Sequence, residues 1–228
     1  MLTVTSPANK LMTMHYGRKG FTLIEMAIVL VIMGLILGGL LTPLSAKMDN
    51  ERRVSTTKSL DDIKKALFGF AVINKRLPCP DTSGDGIEES SCLNIEGEIP
   101  WVTLGVKRYD AWGRPYRYRV DNLYSVNIAD PPNTTSNLQI RDRAGNALTA
   151  VNPNAATAVI FSCGSNGKPD DDNDADNAIN SDANCLNTGT ANNIYTQDIT
   201  TKDQFDDQLV WISRNTLLNQ LITSGKWP

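Results

Sequence analysis

The hydrophobic pattern of the chain changes from continuous to periodic near residue 45. Residues 26–41 carry no charge, and with their apolar flanks the run from 21 to 44 approaches the ~20 residues that a membrane-spanning helix needs. Between 45 and 76, apolar residues recur at steps of three and four or their sums: Val54, Leu60, Ile63, Leu67, Phe70 and Ile73. This second pattern predicts an amphipathic helix whose apolar face covers the core of a globular domain.

Beyond the predicted helices, alternation and short apolar runs indicate strands. Tyr116, Tyr118 and Val120 alternate with Arg117 and Arg119, which predicts a strand with one packed face and one wet face. The pattern is also β-like over 99–106, and further strands are predicted at 123–128, 138–143, 158–162 and 208–213.

Prolines and one polar residue mark the predicted boundaries of the helices. Pro78 and Pro80 should end the amphipathic helix, and Pro43 should bend the apolar helix or end it locally, because proline lacks a backbone donor. Asn215 is expected to cap a short helix that reaches Leu221. A long helix followed by antiparallel strands is an α+β arrangement, and the ~180 residues after the apolar run suffice for one globular domain.

One acidic residue, Glu25, lies just inside the apolar run. A charged side chain costs about 2.5–3.5 kcal/mol at the centre of a membrane helix, so such a residue is usually functional and paired. Thr22 and Glu25 also have the spacing of a capping box, which satisfies backbone amides at the start of a helix. The two roles are compatible.

The residues before the apolar run are basic. They include no acidic residue and carry Lys10, Arg18 and Lys19. The positive-inside rule therefore predicts that residues 1–20 are cytoplasmic and that the chain after residue 44 lies outside the membrane. Residues 42–50 offer no small-residue cleavage site of the secretory type, so the run 21–44 is expected to stay as an anchor.

Residues 19–25, Lys-Gly-Phe-Thr-Leu-Ile-Glu, resemble the class III signal of type IV pilins and of the pseudopilins of type II secretion. The resemblance implies that a prepilin peptidase cuts after Gly20 and methylates the new amino terminus at Phe21. It also implies that Glu25 pairs with the amino terminus of a neighbouring subunit during filament assembly. Such pairing is physically reasonable, because an unpaired buried charge is strongly unfavourable.

Two later segments resemble the same family. Residues 110–116, Asp-Ala-Trp-Gly-Arg-Pro-Tyr, are similar to a motif of major pseudopilins and related minor pilins that leads into the sheet, and residues 206–213 are similar to the closing strand. The resemblance thus implies a pilin-like fold with a long helix packed on an antiparallel sheet. The expected organisation is a leader at 1–20, a transmembrane and assembly helix at 21–44, and a globular domain at 45–228 that includes the amphipathic helix 45–76.

An even number of cysteines lies in the part predicted to be outside the membrane, where disulfides persist. Four cysteines allow three connectivities, and we expect the pairs that are close in sequence, Cys79–Cys92 and Cys163–Cys185. A zinc site is disfavoured, because no cysteine has a second one two to four residues away and the sole histidine, His15, lies in the leader.

An acidic segment is the best candidate for a ligand site. Its aspartates, Asp170, Asp172, Asp174 and Asp176, follow one another at intervals of two. Closely spaced carboxylates repel unless a cation or solvent screens them, and calcium binds through oxygen ligands of this kind. Major pseudopilins hold calcium in a loop just after a similar S-x-G-x-P segment, so the resemblance implies a calcium site; a solvated acidic loop is the alternative.

Basic and aromatic residues interleave before and within the predicted strand at 116–120. Arg114, Arg117 and Arg119 could contact phosphates while the neighbouring aromatic rings stack on bases, as on a DNA-uptake pilus. The alternative is a sheet with aromatic residues inward and arginines outward. The formal charge of −3 favours this alternative, and we do not expect nucleic acid as a partner.

No catalytic constellation is evident. With the sole histidine in the leader, no Ser-His-Asp or Cys-His arrangement survives processing, and we expect no enzyme. The leading hypothesis is a structural subunit of a type IV pilus or a type II secretion pseudopilus in the inner membrane, with a periplasmic domain. Its partners would be the prepilin peptidase, other pilin subunits and the assembly platform. The alternatives are a DNA-binding minor pilin and a free-standing membrane-anchored periplasmic protein.

Overall fold

The computed structural model describes residues 20–92, 96–126, 128, 135–150, 155–170, 173, 185, 193–199 and 205–226, without the side chains of 39–44. The chain divides into two compact units, Met1–Lys47 and Met48–Pro228. Helix α1, Leu23–Asn74, extends over the boundary between them. Pro43 was expected either to bend the apolar helix or to end it. It lies within the bounds of α1, so the helix does not end there.

In the first unit, the described large apolar side chains of α1 and of Phe21 before it are exposed. Phe21 is 80 % exposed, Leu23 90 % and Leu35 73 %. Among the residues that the structure describes, no helix combines the length and the apolar character needed to cross a membrane. The predicted anchor at 21–44 therefore stays a prediction.

The second unit contains the sheet. In chain order its further elements are β1 (Glu96–Glu98), α2 (Trp101–Leu104), β2 (Arg117–Val120), α3 (Asn122–Ser125), β3 (Gln139–Arg141), β4 (Ala156–Ser162), β5 (Ile194–Thr196), β6 (Gln208–Ser213) and α4 (Arg214–Thr223). Strands β1, β2, β4 and β6 form an antiparallel sheet in that order, and β3 pairs with β5 in parallel. The fold class is α+β, as the sequence predicts.

Two apolar clusters hold the second unit together. The larger cluster joins the apolar stripe of α1, which includes Leu60, Ile63 and Leu67, to Tyr118 of β2 and to Leu217 of α4. The smaller cluster lies around Phe161 of β4 and includes side chains from β3, β5 and β6. Leu60, Ile63 and Leu67 of the predicted stripe thus form the face of α1 that covers one side of the sheet. Val54 and Ile73, which were predicted on the same face, are 63 % and 79 % exposed and lie outside the core.

Several predicted elements agree with the structure within a few residues. Strand β6 has the predicted bounds, β4 begins two residues earlier than predicted, and β3 is shorter than the predicted 138–143. Helix α1 ends at Asn74 because Lys75 adopts a positive φ of 52°. Helix α4 is capped by Ser213, whose side chain accepts from the Thr216 amide, rather than by Asn215.

Two predicted β segments are helical. Residues 101–104 of the β-like stretch 99–106 form α2, which ends at Gly105 in the left-handed conformation. The predicted strand 123–128 begins instead with α3, because the Asp121 side chain accepts a hydrogen bond from the Leu123 amide and caps the helix. Strands β1 and β5 were not predicted; each has only three residues.

Candidate functional sites

The start of α1 forms the capping box that the spacing predicts. The Thr22 amide and hydroxyl both donate to Glu25 Oε2 at 2.9 Å, and the Glu25 amide donates to Thr22 Oγ1 at 3.3 Å. Gly20 and Phe21, the predicted cleavage and methylation positions, are exposed immediately before this box. Glu25 thus lies at the first helical turn with one carboxylate oxygen engaged by Thr22.

The prediction that one face of β2 is exposed to solvent is wrong. Arg117 and Arg119 are each only 3 % exposed. Arg117 Nη2 donates to Glu96 Oε1 at 2.9 Å, and Arg119 Nη2 donates to Asn193 Oδ1 at 3.0 Å. These arginines are buried because β1 pairs with β2 and places Glu96 beside them, so they are not available as a DNA-binding face.

Arg114, the third residue of the predicted DNA-binding face, is partly buried. A Cβ at Gly167 would lie 2.1 Å from its Cζ atom, so the guanidinium packs directly on the Gly167 backbone. Its Nε is buried and lacks a hydrogen-bond partner among the described residues. The three predicted arginines therefore do not form an exposed basic surface.

The structure forms both expected disulfides. The Cα atoms of Cys79 and Cys92 lie 5.1 Å apart, and those of Cys163 and Cys185 lie 5.9 Å apart. Cys163 and Cys185 belong to the smaller apolar cluster. The first bridge closes the loop between α1 and β1, and the second closes the segment that contains Asp170.

Three carboxylates meet at one end of the sheet, where they could hold a metal ion. Asp170, Asp206 and Asp207 place one oxygen each within 4.8 Å of the others. Strands β4 and β6 pair with Ser162 opposite Gln208, so the loop that leaves β4 runs beside the residues that enter β6. This register explains why residues more than thirty positions apart in sequence share one site.

Hydrogen bonds orient these carboxylates. Asp170 Oδ2 accepts from the Asp206 amide at 2.7 Å, and Asp207 Oδ2 accepts from the Asp170 amide at 2.8 Å. The Asn173 side chain adds a bond to Asp207 Oδ2 at 2.9 Å, and Asp206 Oδ2 accepts from the Ser165 hydroxyl at 2.6 Å. Each segment thus donates a backbone hydrogen bond to a carboxylate of the other, the loop through Asp170 and the residues before β6 through Asp206.

The second oxygens of two of these groups have no partner. Asp206 is 5 % exposed and Asp207 3 %, and the Oδ1 atom of each lacks a hydrogen-bond partner within the described part of the chain. Burial raises the pKa of Asp207 well above its ordinary value, with further contributions from neighbouring carboxylates, and burial also raises the pKa of Asp170. Orphaned, buried carboxylate oxygens are costly unless a cation or proton neutralises them.

A glycine permits this packing. A Cβ at Gly164, whose φ is +53°, would lie 2.4 Å from the Asp206 carbonyl oxygen. Only glycine combines this backbone conformation with such a close approach. The S-x-G-x-P resemblance covers the same turn, which begins immediately after Cys163.

Of the aspartates predicted to bind calcium, the structure places Asp170 in the cluster. The other three, Asp172, Asp174 and Asp176, lie outside the described residues. Asp206 and Asp207 were predicted only as part of a closing strand. Their adjacency in front of an apolar strand was the available signal, because two consecutive acids at a buried strand end need a reason.

Comparison with known proteins yields a single positive finding. The model of the prokaryotic N-terminal methylation motif matches residues 16–41. No curated protein and no solved structure matches the chain. The matched residues include Gly20 and Phe21 and also Thr22 and Glu25, which form the capping box. The chain therefore carries, at residues 16–41, the N-terminal methylation motif that is the class III signal of type IV pilins and pseudopilins.

Proposed function

We propose that this protein is a structural subunit of a type IV pilus or of a type II secretion pseudopilus. Prepilin peptidase would cut after Gly20 and methylate Phe21, and the processed chain would assemble through its N-terminal helix. The observation that supports this most is the methylation motif at residues 16–41. The packing of α1 against one side of an antiparallel sheet also supports it.

Glu25 would direct assembly. Its Oε2 accepts both bonds from Thr22, which leaves Oε1 for a cation from outside the chain. Cleavage after Gly20 creates such a cation at Phe21, and a neighbouring subunit would present it. In apolar surroundings the amine and the carboxylate neutralise each other, whereas either charge alone would be unfavourable.

The proposed location follows from the N-terminal sequence. Residues 1–20 would face the cytoplasm, 21–44 would anchor the chain in the inner membrane, and the second unit would lie in the periplasm. The basic leader supports this orientation, and two disulfides suit an oxidising compartment. The assembly platform and other pilin subunits would be the partners.

The deciding measurement is the intact mass and N-terminal sequence of the membrane-extracted chain, with and without co-expressed prepilin peptidase. Peptidase-dependent cleavage to an N-methylated Phe21 is expected. An uncut chain, or one cut after residue 41, would contradict the proposal and favour a free-standing anchored protein.

Glu25→Ala tests the assembly step. The variant should enter the membrane and be processed normally but fail to enter filaments, and Glu25→Gln should fail as well because it keeps the shape and loses the charge. Asp61→Ala, on the exposed surface of α1, is the matched control and should assemble. Normal filament incorporation of Glu25→Ala would exclude the proposed role.

We also propose that Asp170, Asp206 and Asp207 bind calcium. The ligand atoms would be carboxylate oxygens, which calcium prefers. The Oδ1 atoms of Asp206 and Asp207, which have no hydrogen-bond partner among the described residues, fit a cation. A bound ion would offset two of the three negative charges and hold the loop after β4 to the start of β6.

Calorimetric titration of the full chain with calcium tests this site. Asp207→Asn should abolish binding because it removes a buried charge and keeps the shape. Asp174→Asn separates the two candidate ligand sets: unchanged binding supports the cluster, whereas loss of binding in Asp174→Asn alone would place the ion in the acidic segment. No heat of binding in the unmodified chain would refute the calcium proposal.

A further inference from the structure

The loop that the Cys79–Cys92 disulfide closes and the adjacent helix α2 together expose two aliphatic side chains. Ile87 is 53 % exposed and Val102 57 %. The Ile87 amide donates to Asp85 Oδ1 at 2.8 Å, and the Val102 amide donates to the Gly86 carbonyl at 2.9 Å. A Cβ at Gly86 would lie 2.6 Å from Val102 Cγ2, so the Val102 side chain packs on the backbone of the residue that precedes Ile87. We refer to Asp85, Ile87, Glu89 and Val102 as the loop tip.

The loop tip carries negative charge that the chain itself does not neutralise. Glu88 is paired with Arg76 at 2.7 Å. Glu89 bonds only to the Thr82 hydroxyl and to backbone amides, and Asp85 is exposed. Neither Asp85 nor Glu89 forms an ion pair within the described part of the chain.

A groove on the same unit has the opposite character. It has a volume of about 370 Å³ and lies between α1, which contributes Ser55, Lys58, Ser59, Asp62 and Ile63, and residues 105–107. Asp62 is paired with Lys65 at 3.1 Å. Lys58 and Lys107 are exposed at the rim and form no ion pair among the described residues.

The two surfaces are complementary. The loop tip combines two exposed aliphatic side chains with Asp85 and Glu89. The groove presents the exposed Lys58 and Lys107 beside the partly buried Val106, whereas Ile63 is only 1 % exposed. We propose that the loop tip of one copy docks into the groove of a second copy of this chain. Different patches in contact make a heterologous interface, which extends into a helical array unless it closes as a ring.

This contact goes beyond the N-terminal assembly signal, and it rests on the proposed function because it needs copies that are held side by side. An interface of so few residues is weak by itself. Copies in one membrane or filament supply the high effective concentration that makes such a contact effective. The contact would set the rotation between neighbouring globular units, because the loop tip is fixed by the disulfide and by α2.

Site-specific crosslinking of the full chain in membranes tests the contact. Two differently tagged copies are co-expressed with prepilin peptidase, one carrying Ile87→Cys and the other Ser55→Cys in the groove. The native cysteines are already paired, so an oxidant should link the two copies through the new thiols. Leu148→Cys, at a position that is 46 % exposed, replaces Ser55→Cys as the control and should give little product.

Charge variants test the complementarity. Asp85→Asn keeps an acceptor for the Ile87 amide and removes the charge, and it should lower the contact's association constant about 1.4- to 5-fold, as expected for loss of one exposed ion pair. Asp85→Lys or Lys107→Asp alone should reduce crosslinking further. The chain with both Asp85→Lys and Lys107→Asp should regain the crosslinking yield, because the loop tip of each copy is then basic where the groove of the next copy is acidic.

The outcomes separate the two proposals. Processing is scored by mass in the same sample, so absent crosslinking in processed chains overturns the contact alone, and absent processing overturns the proposed function. Equal yields at Leu148 and Ser55, or no recovery by the double reversal, would also overturn the contact. Circular dichroism of each variant confirms that the fold is retained.

Discussion

Replacing Arg117 with alanine tests whether the β2 arginines stabilise the sheet or face a ligand. Arg117 Nη2 lies 2.9 Å from Glu96 Oε1, and the two side chains are only 4 % and 3 % exposed. The variant leaves the Glu96 carboxylate buried, with the Tyr195 hydroxyl as a remaining donor. Breaking a buried pair in this way costs about 3–5 kcal/mol, against a total stability of roughly 5–15 kcal/mol for a typical domain.

The assay is urea unfolding of the detergent-solubilised full chain, followed by circular dichroism and linear extrapolation. Arg117→Ala should lower the midpoint without changing the slope. Lys65→Ala is the control, because the Lys65 and Asp62 side chains are 75 % and 55 % exposed in their pair; it should cost at most about 1 kcal/mol.

A double variant separates the buried charge from the packing. Arg117→Met with Glu96→Gln removes both charges and keeps an acceptor for Tyr195, so it should recover most of the lost stability. A loss below about 1 kcal/mol for Arg117→Ala would refute the reasoning, since it would mean that Glu96 is solvated. Weaker DNA binding by Arg117→Ala with unchanged stability would instead indicate that Arg117 contacts a ligand.

Three further predictions concern the disulfides, the tyrosines and the glycine at the acidic cluster. Replacing both cysteines of a pair with alanine should cost about 3.4 kcal/mol for Cys163–Cys185 and about 2.9 kcal/mol for Cys79–Cys92, from the chain entropy of sequence separations of 22 and 13; losses near zero in non-reducing urea titrations would contradict this. Burial raises the pKa of Tyr116 and Tyr124 from 10.0 to about 12, so their contribution to stability is complete below pH 10.0 and is lost as the pH rises through about 12. Alkaline unfolding should show that loss, and Tyr116→Phe should reduce it; a stability that falls equally below pH 10.0 would point to other groups. Gly164→Ala should lower both thermal stability and calcium affinity because its Cβ would meet the Asp206 carbonyl oxygen, whereas Gly145→Ala, with a φ of +83° and no atom within 4 Å, should cost only the backbone strain; equal effects would argue against the close contact.

Features that depend on nearby residues could be predicted from the sequence. The capping box needs only Thr22 and Glu25 three positions apart, and the apolar stripe of α1 follows from helical spacing. The closing strand β6 and both sequence-local disulfides also agree with the structure. In each case the interacting groups are a few turns or one loop apart, so the spacing carries the necessary information.

Short elements were harder to predict, because their structure and burial depend on the segments that pack against them in the fold. The alternation at 116–120 correctly predicted a strand, but the prediction that its arginines are exposed was wrong. A three-residue strand, β1, covers β2 on one edge and supplies Glu96 to Arg117. A strand so short has no period to recognise, and an arginine is normally read as exposed unless its partner is known.

The chain's own amino acids were enough to recognise the pilin-type signal, by its resemblance over residues 19–25, and to predict the α+β class from local spacing. The tertiary structure decided that Asp170 meets Asp206 and Asp207 and that the β2 arginines are internal. Both depend on the register between strands distant in sequence, β4 with β6 and β1 with β2. Register is set by the joint burial of many side chains, and spacing along a single segment does not contain it.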